Sequence, residues 1–274
     1  MEIVAYLLCA LLYMGLAVYF WRTRWVATDP RAPSRALPPA VEHLGVLLPL
    51  MLHAVLLANS LFVGGGLHLG LGNALSAIFW LTVLIYWTGN FFYRLEGLQA
   101  LVLPLAAAAV LLQGFMPRAS SLANTDLVAF KFHLLIAMLS YSLLTIASLH
   151  VLLMALLERR LHDGTLTQRL QKLPPLLTME TLLFRIIWAG FILLTLTLGS
   201  GVIFSEELFG KAAQFNHKTV FGVISWCIFG ALLAGRQIYG WRGRMAVRWT
   251  LAGFLALVLA YIGSKFVVEV VLGR

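Results

Sequence analysis

The sequence predicts an all-α membrane protein, a polytopic bundle of about eight transmembrane helices. Of its 274 residues, 61% are hydrophobic and only 11% are charged, whereas a soluble domain is roughly half apolar and about a quarter charged. The apolar residues form long continuous runs, without the two-residue alternation of a barrel strand. In lipid, the backbone of such runs can satisfy its hydrogen bonds only as helices.

Eight apolar runs are long enough to cross a bilayer, which needs about 20 helical residues. In chain order they are residues 2–21, 43–63, 73–93, 97–115, 128–157, 179–204, 217–235 and 246–271. The fifth exceeds what a bilayer requires, so we expect it to tilt or project. The Pro-rich stretch 27–42 predicts a linker, and the glycine-rich stretch 64–72 predicts a loop. All eight spans belong to a single membrane domain, residues 1–274.

Lys and Arg are divided unequally between the two sets of loops, and this predicts the orientation. One set holds Arg22, Arg24, Arg31, Arg35, Arg94, Arg159, Arg160, Arg169, Lys172, Arg236, Arg242, Arg244 and Arg248. The other set has Arg118, Lys211 and Arg274, with Lys131, Lys218 and Lys265 near helix ends. The positive-inside rule places the first set in the cytoplasm, so both termini are predicted on the outer, periplasmic side of a bacterial inner membrane.

The charges also exclude other classes of protein. The net charge of +9 comes from short clusters between apolar runs, which is typical of cytoplasmic loops rather than of a nucleic-acid surface. Glu2 precedes the first run and Arg22 follows it, so we expect a retained helix instead of a cleaved signal peptide. Paired carboxylates within the membrane and nucleophile–base spacings are absent from the sequence, and we predict that the protein is not an enzyme.

Two histidines are predicted at similar depth near the outer face. His133 lies about five residues into the fifth span, roughly 7–8 Å below its outer end, and His217 begins the seventh span. Neutral imidazoles ligate heme iron, and a pair at one depth suits the two faces of a flat macrocycle. Tyr141 continues the His133 face two turns further on, where it would line a pocket. The alternative is that His133 only packs against neighbouring backbone.

Two more residues are candidates for the same kind of site. His53 is near the middle of the second span, where an ionisable group is a functional candidate by default. A neutral histidine with one hydrogen bond would also serve a structural role there. Lys218 follows His217 and would place a positive charge beside a propionate at the outer face.

Five segments carry a resemblance to a known family. They are HLLIAMLSY (133–141), METLLFRIIWAGFILLTLTLGSG (179–201), KTVFGVISW (218–226), GWRGRMAVRWTLAGF (240–254) and YIGSKF (261–266). In this order they resemble the cytochrome c assembly protein family, the CcsA-like heme-handling membrane proteins, and in particular its shorter YpjD/HemX-like branch. The family-like region is residues 37–274, which hold spans 2 to 8, and the resemblance is strongest over 128–266.

The resemblance implies heme binding at the outer face, with His133 as one axial ligand. It also implies a role in heme handling or cytochrome c maturation, with maturation proteins as partners besides the lipid bilayer. We interpret the site as a b-type heme between spans 5 and 7, ligated by His133 and His217. Larger family members carry a Trp-x-Trp-Asp loop, where this chain has Phe215 and Asn216. The family's second outer histidine, after the last span, is absent, and His217 is the local substitute.

Two other functions are compatible with the sequence. The first is an accessory or transport-related subunit without a cofactor, which would use His53 and small-residue helix faces for packing or partner contacts. The second is a HemX-like regulator of tetrapyrrole synthesis, which needs no heme-delivery loop. Replacing His133 or His217 by alanine would remove a visible absorbance band under the heme hypothesis, and would change no colour under the accessory-subunit hypothesis.

Overall fold

The computed structural model describes residues 2–25, 37–63, 66–93, 97–116, 127–163, 175–203 and 217–263, which are almost entirely helical. The helices in these ranges are α1 Glu2–Phe20, α2 Pro39–Leu61, α3 Leu71–Gly89, α4 Gln99–Phe115, α5 Val128–His162, α6 Leu176–Ile203, α7 His217–Tyr239 and α8 Arg244–Val258. π-Helical segments extend α1 over Trp21–Trp25 and α8 over Leu259–Gly263. The predicted polytopic helical bundle is confirmed.

By length and composition, seven helices of the described ranges are able to cross a membrane. The exception is α4, an apolar helix of 17 residues. At 1.5 Å per residue it is about 25 Å long, slightly less than the hydrocarbon core of about 30 Å. It nevertheless packs between α1 and α3, so it is a full member of the bundle.

The ends of several helices differ from the predicted span limits. α2 begins at Pro39 rather than residue 43, because proline in the first turn loses no intrahelical hydrogen bond. α5 has 35 residues and continues to His162 rather than residue 157, because charged residues such as Arg and Glu are good helix formers beyond the apolar run. Where a helix end and a loop were predicted, a small antiparallel hairpin pairs β1, Phe62–Val63, with β2, Gly66–Leu67.

The eight helices form two closed rings of four. In the first ring α1, α2, α3 and α4 each pack on the next, and α4 returns to α1. The second ring repeats this order with α5, α6, α7 and α8. The rings join chiefly through α3 and α5, where Ser142 Oγ donates a hydrogen bond of 3.0 Å to the carbonyl of Ile78.

Small residues bring the helices of the second ring close together. A Cβ on Gly190 of α6 would lie 2.7 Å from Leu144 Cδ2 of α5. At the same interface, Ser140 Oγ donates to the Gly190 carbonyl at 3.0 Å. Between α7 and α8, Ser225 Oγ likewise donates to the Gly253 carbonyl at 2.8 Å. Small residues and crossing hydroxyls are the usual means by which membrane helices associate.

Candidate functional site

His133 lies in the second turn of α5, half-buried against α6. Its Nδ1 is 2.8 Å from Oγ of Ser200. That hydroxyl also lies 3.1 Å from the carbonyl oxygen of Thr197, on the same helix. Gly201 presents no side chain to the imidazole, and a Cβ there would lie 3.5 Å from Cε1. The end of α6 therefore supports the ring with a hydroxyl and bare backbone.

His217 is the first residue of α7 and is exposed. The register of α7 on α6 is set by Trp226, whose Nε1 donates to Thr195 Oγ1 at 2.8 Å. The two helices are antiparallel, and His217 stands nine residues before Trp226. Its level on the axis of α6 is therefore nine residues past Thr195, which is four residues past Ser200. His217 therefore lies about 6 Å along the axis from the level of His133. The two histidines share one end of the bundle.

The helices that carry the two histidines are diagonal members of the second ring. Both α5 and α7 pack against α6 and α8, so His133 and His217 lie at the same end of the four-helix ring on facing helices. Cofactor sites of helix bundles are built from side chains on such facing helices. The chemistry of the donor set fits a heme, which takes one axial imidazole on each side of the iron.

Tyr141 lies two turns beyond His133, about 12 Å deeper along α5. It is half-buried, and its ring meets that of Tyr261 edge-on, with centroids 5.9 Å apart. Because Tyr261 belongs to the π-helical extension of α8, this aromatic pair bridges two helices below the histidine level. Tyr141 thus packs between α5 and the end of α8, about two turns away from the imidazole of His133.

Lys218 follows His217 and is exposed. Successive residues of a helix point in different directions, so the side chains of Lys218 and His217 leave α7 on different faces. Other residues singled out from the sequence, namely Glu206, Glu207, Lys211, Phe215, Asn216, Lys265 and Glu269, lie outside the described residues.

His53 lies in the first ring and is fully buried. Its Nδ1 is 3.3 Å from the hydroxyl of Tyr13, and its Nε2 is 2.7 Å from Oγ of Ser76. Ser76 in turn donates to Oε1 of Gln113, so each helix from α1 to α4 contributes one member of this network. Iron ligation by His53 would require breaking one of these hydrogen bonds, and the structure does not bring His53 together with His133.

Comparison with known proteins places the chain in a family. Residues 40–272 match a family model described as Cytochrome C assembly protein. The chain belongs to the cytochrome c assembly protein family. This family member matches inner membrane protein YpjD of Escherichia coli (strain K12) with 35% identity over 139 residues, which is 51% of this chain and 52% of YpjD.

Other relatives of this family member match similar or smaller parts of it. An uncharacterized 28.8 kDa protein of Azospirillum brasilense is 35% identical over 141 residues, 52% of each chain. Cytochrome c biogenesis protein CcsA of Prochlorococcus marinus (strain MIT 9215) is 36% identical over 88 residues, 32% of this chain and 28% of CcsA. The chain thus spans about half the length, or less, of these curated relatives. No solved structure matches it.

The structure of this family member also shows buried polar residues that sequence reasoning missed. The sequence does not mark His150 as a candidate residue, but the structure buries it at 2% exposure. Its Nε2 lies 3.0 Å from the carbonyl oxygen of Met179, and within the described part of the chain its Nδ1 has no hydrogen-bond partner. Depth along one span could not have revealed this, because burial depends on the neighbouring helix.

An ion pair closes the opposite end of the second ring. Glu180 of α6 lies 2.6 Å from Nη1 of Arg236 of α7, and this guanidinium stacks 4.7 Å from the centroid of Phe184. Glu180 is the one carboxylate in the apolar sequence of α6, a signal that could have identified it. In the described ranges, groups of three or more His, Cys, Asp or Glu do not converge as a metal site. The histidine pair remains the candidate site.

Proposed function

We propose that this protein is an inner-membrane, heme-binding member of its family that takes part in heme handling or cytochrome c maturation. A b-type heme would lie at the outer end of the second ring, between α5 and α7. The observation that carries the proposal is the pair His133 and His217, at similar depth on diagonal helices. One relative is named an inner membrane protein and another a cytochrome c biogenesis protein, which supports the same reading.

Each residue of the site would contact a different part of the macrocycle. His133, braced by α6, would bind one face of the iron, and His217, at the start of α7, would bind the other. The exposed ammonium of Lys218 would pair with a propionate. Tyr141, with Tyr261, would close the cavity below. The bound heme would supply the iron centre and the visible colour, and the protein would act by binding rather than by catalysis.

The test is the reduced-minus-oxidised visible spectrum of the detergent-purified protein. We expect a Soret band with sharp reduced α and β bands, lost in both His133→Ala and His217→Ala. The matched control is His162→Ala, because His162 is exposed at the opposite end of α5, and this variant should keep the bands. Size-exclusion chromatography of each variant confirms that it is folded.

A colourless protein that also fails to bind added hemin would contradict the proposal. The cofactor-free accessory or transport-related subunit would then be the better interpretation, and co-purifying membrane proteins would identify its complex. If heme binds but apocytochrome maturation is unaffected by deletion of the protein, a HemX-like role in regulating tetrapyrrole synthesis would replace maturation.

A further inference from the structure

The Ser200 hydroxyl contacts two groups but has a single hydrogen to donate. The carbonyl oxygen of Thr197, 3.1 Å away, can only accept a hydrogen bond. Nδ1 of His133, 2.8 Å away, can either donate or accept, depending on its tautomer. Both contacts are satisfied together only if Ser200 donates to Thr197 and accepts from His133. The proton of the neutral imidazole is then on Nδ1.

We propose that Ser200 is a positioning residue that fixes the tautomer of His133 and so makes Nε2 the nitrogen that binds the heme iron. A neutral imidazole carries one N–H, so a proton held on Nδ1 leaves the lone pair on Nε2. Metal-binding histidines generally donate their other ring N–H to an acceptor, which fixes both tautomer and ring orientation. This inference rests on the proposed function for its role in ligation, but the tautomer itself exists without heme.

The chemical nature of the hydrogen-bond acceptor also sets how electron-rich the His133 imidazole is. A serine hydroxyl is a neutral acceptor, and it leaves the imidazole less electron-rich than a carboxylate would. Ser200→Asp should therefore lower the reduction potential of the bound heme, and Ser200→Ala should raise it. If the side chain at position 200 only filled space beside His133, the two variants would not shift the reduction potential in opposite directions.

The tautomer is tested first on the heme-free protein, by nitrogen NMR of chains labelled with ¹⁵N-histidine. The His133 signals are those that disappear in His133→Gln. We expect a protonated Nδ1 and an unprotonated Nε2 in the wild type, and a mixture of the two tautomers in Ser200→Ala. The control is Thr197→Val, which keeps the backbone carbonyl and removes only a hydroxyl bonded to Leu193. An unprotonated Nδ1 in the wild type would overturn the assignment.

The role in ligation is tested by hemin titration of the same proteins. Loss of an outer-shell partner typically costs 10–100-fold in metal affinity, so we expect Ser200→Ala to bind hemin about 10–100-fold more weakly than the wild type or Thr197→Val. Ser200→Thr, which retains a hydroxyl, should restore binding and also guards against misfolding of the alanine variant. Equal affinity and potential in Ser200→Ala would overturn the positioning role. Failure of the wild type to bind hemin would instead overturn the proposed function, whatever the tautomer.

Discussion

At the scale of single residues, His53 illustrates how a membrane helix bundle can bury a histidine completely. Ser76 gives its one hydrogen to Gln113, so it accepts from Nε2 of His53, whose Nδ1 then accepts from Tyr13. The four side chains form one directed chain of hydrogen bonds. Most buried polar groups in proteins are paired in this way, and the network also specifies how α1 to α4 fit together.

Replacing His53 should therefore lower the stability of the protein rather than its ability to bind a cofactor. His53→Ala leaves Tyr13 and Ser76 without this partner and opens a cavity, and we expect a loss of about 2 kcal/mol in the free energy of unfolding. Unfolding in detergent with increasing denaturant measures it, with the exposed His162→Ala as the control. If His53→Ala instead abolished the heme bands at unchanged stability, His53 would be a ligand, as the sequence also allowed.

The ion pair of Glu180 and Arg236 leads to a second prediction at this scale. Glu180 is 8% exposed and Arg236 is 26% exposed, so Arg236→Ala leaves a largely buried carboxylate without its cation. Discounting for the exposed part of the arginine, we expect a loss of about 2 kcal/mol. Combining the change with Glu180→Gln should recover part of it, and Arg242→Ala, at an exposed position, should have little effect. Equal stability of all variants would contradict this account.

At the scale of elements, two glycines of α6, Gly190 and Gly199, differ in what they face. A Cβ on Gly190 would meet the fully buried Leu144, whereas a Cβ on Gly199 would meet nothing within 4 Å. Both positions are helical, so helix propensity favours alanine over glycine equally at each. The difference between them isolates the packing of the two helices.

We expect Gly190→Ala to destabilise the protein by about 1–3 kcal/mol, because overpacking displaces a buried side chain. Gly199→Ala should be neutral, or more stable by up to about 1 kcal/mol. Thermal unfolding of the two variants in one detergent gives the comparison. Equal melting temperatures would mean that α5 and α6 can separate at Gly190 without cost.

At the scale of the whole molecule, the eight helices of the described residues assemble as two rings of four. Each ring brings its first and last helices together, and the rings meet chiefly through α3 and α5. The proposed site belongs to the second ring alone. The first ring has its own buried polar network, while the apolar core runs continuously through both rings.

The topology of the whole chain depends on whether α4 crosses the membrane. With eight crossings and the basic loops inside, alkaline phosphatase fused after Tyr93 should be inactive, and fused after Met116 it should be active. A green fluorescent protein fused at the same points should show the opposite pattern. If both fusions reported the same side, α4 would not cross, and the two termini would lie on opposite sides.

The class of the protein and the approximate position of each helix in the described residues could be predicted from the sequence. This is possible because lipid requires a continuous apolar run for each crossing and satisfies its backbone only as a helix. The sequence also predicted that His133 and His217 lie near the same end of the bundle, because depth along a helix follows from residue number at 1.5 Å per residue.

The tertiary structure alone decided which helices are neighbours, and hence what each polar side chain contacts. Ser200 is 67 residues from His133 in the chain, and no local pattern links them. For the same reason the sequence left the environment of His53 open and did not reveal the burial of His150. The sequence of a helix shows which face is apolar and how deep each residue lies. The partner across that face depends on packing between helices, which has no short-range signature in the sequence.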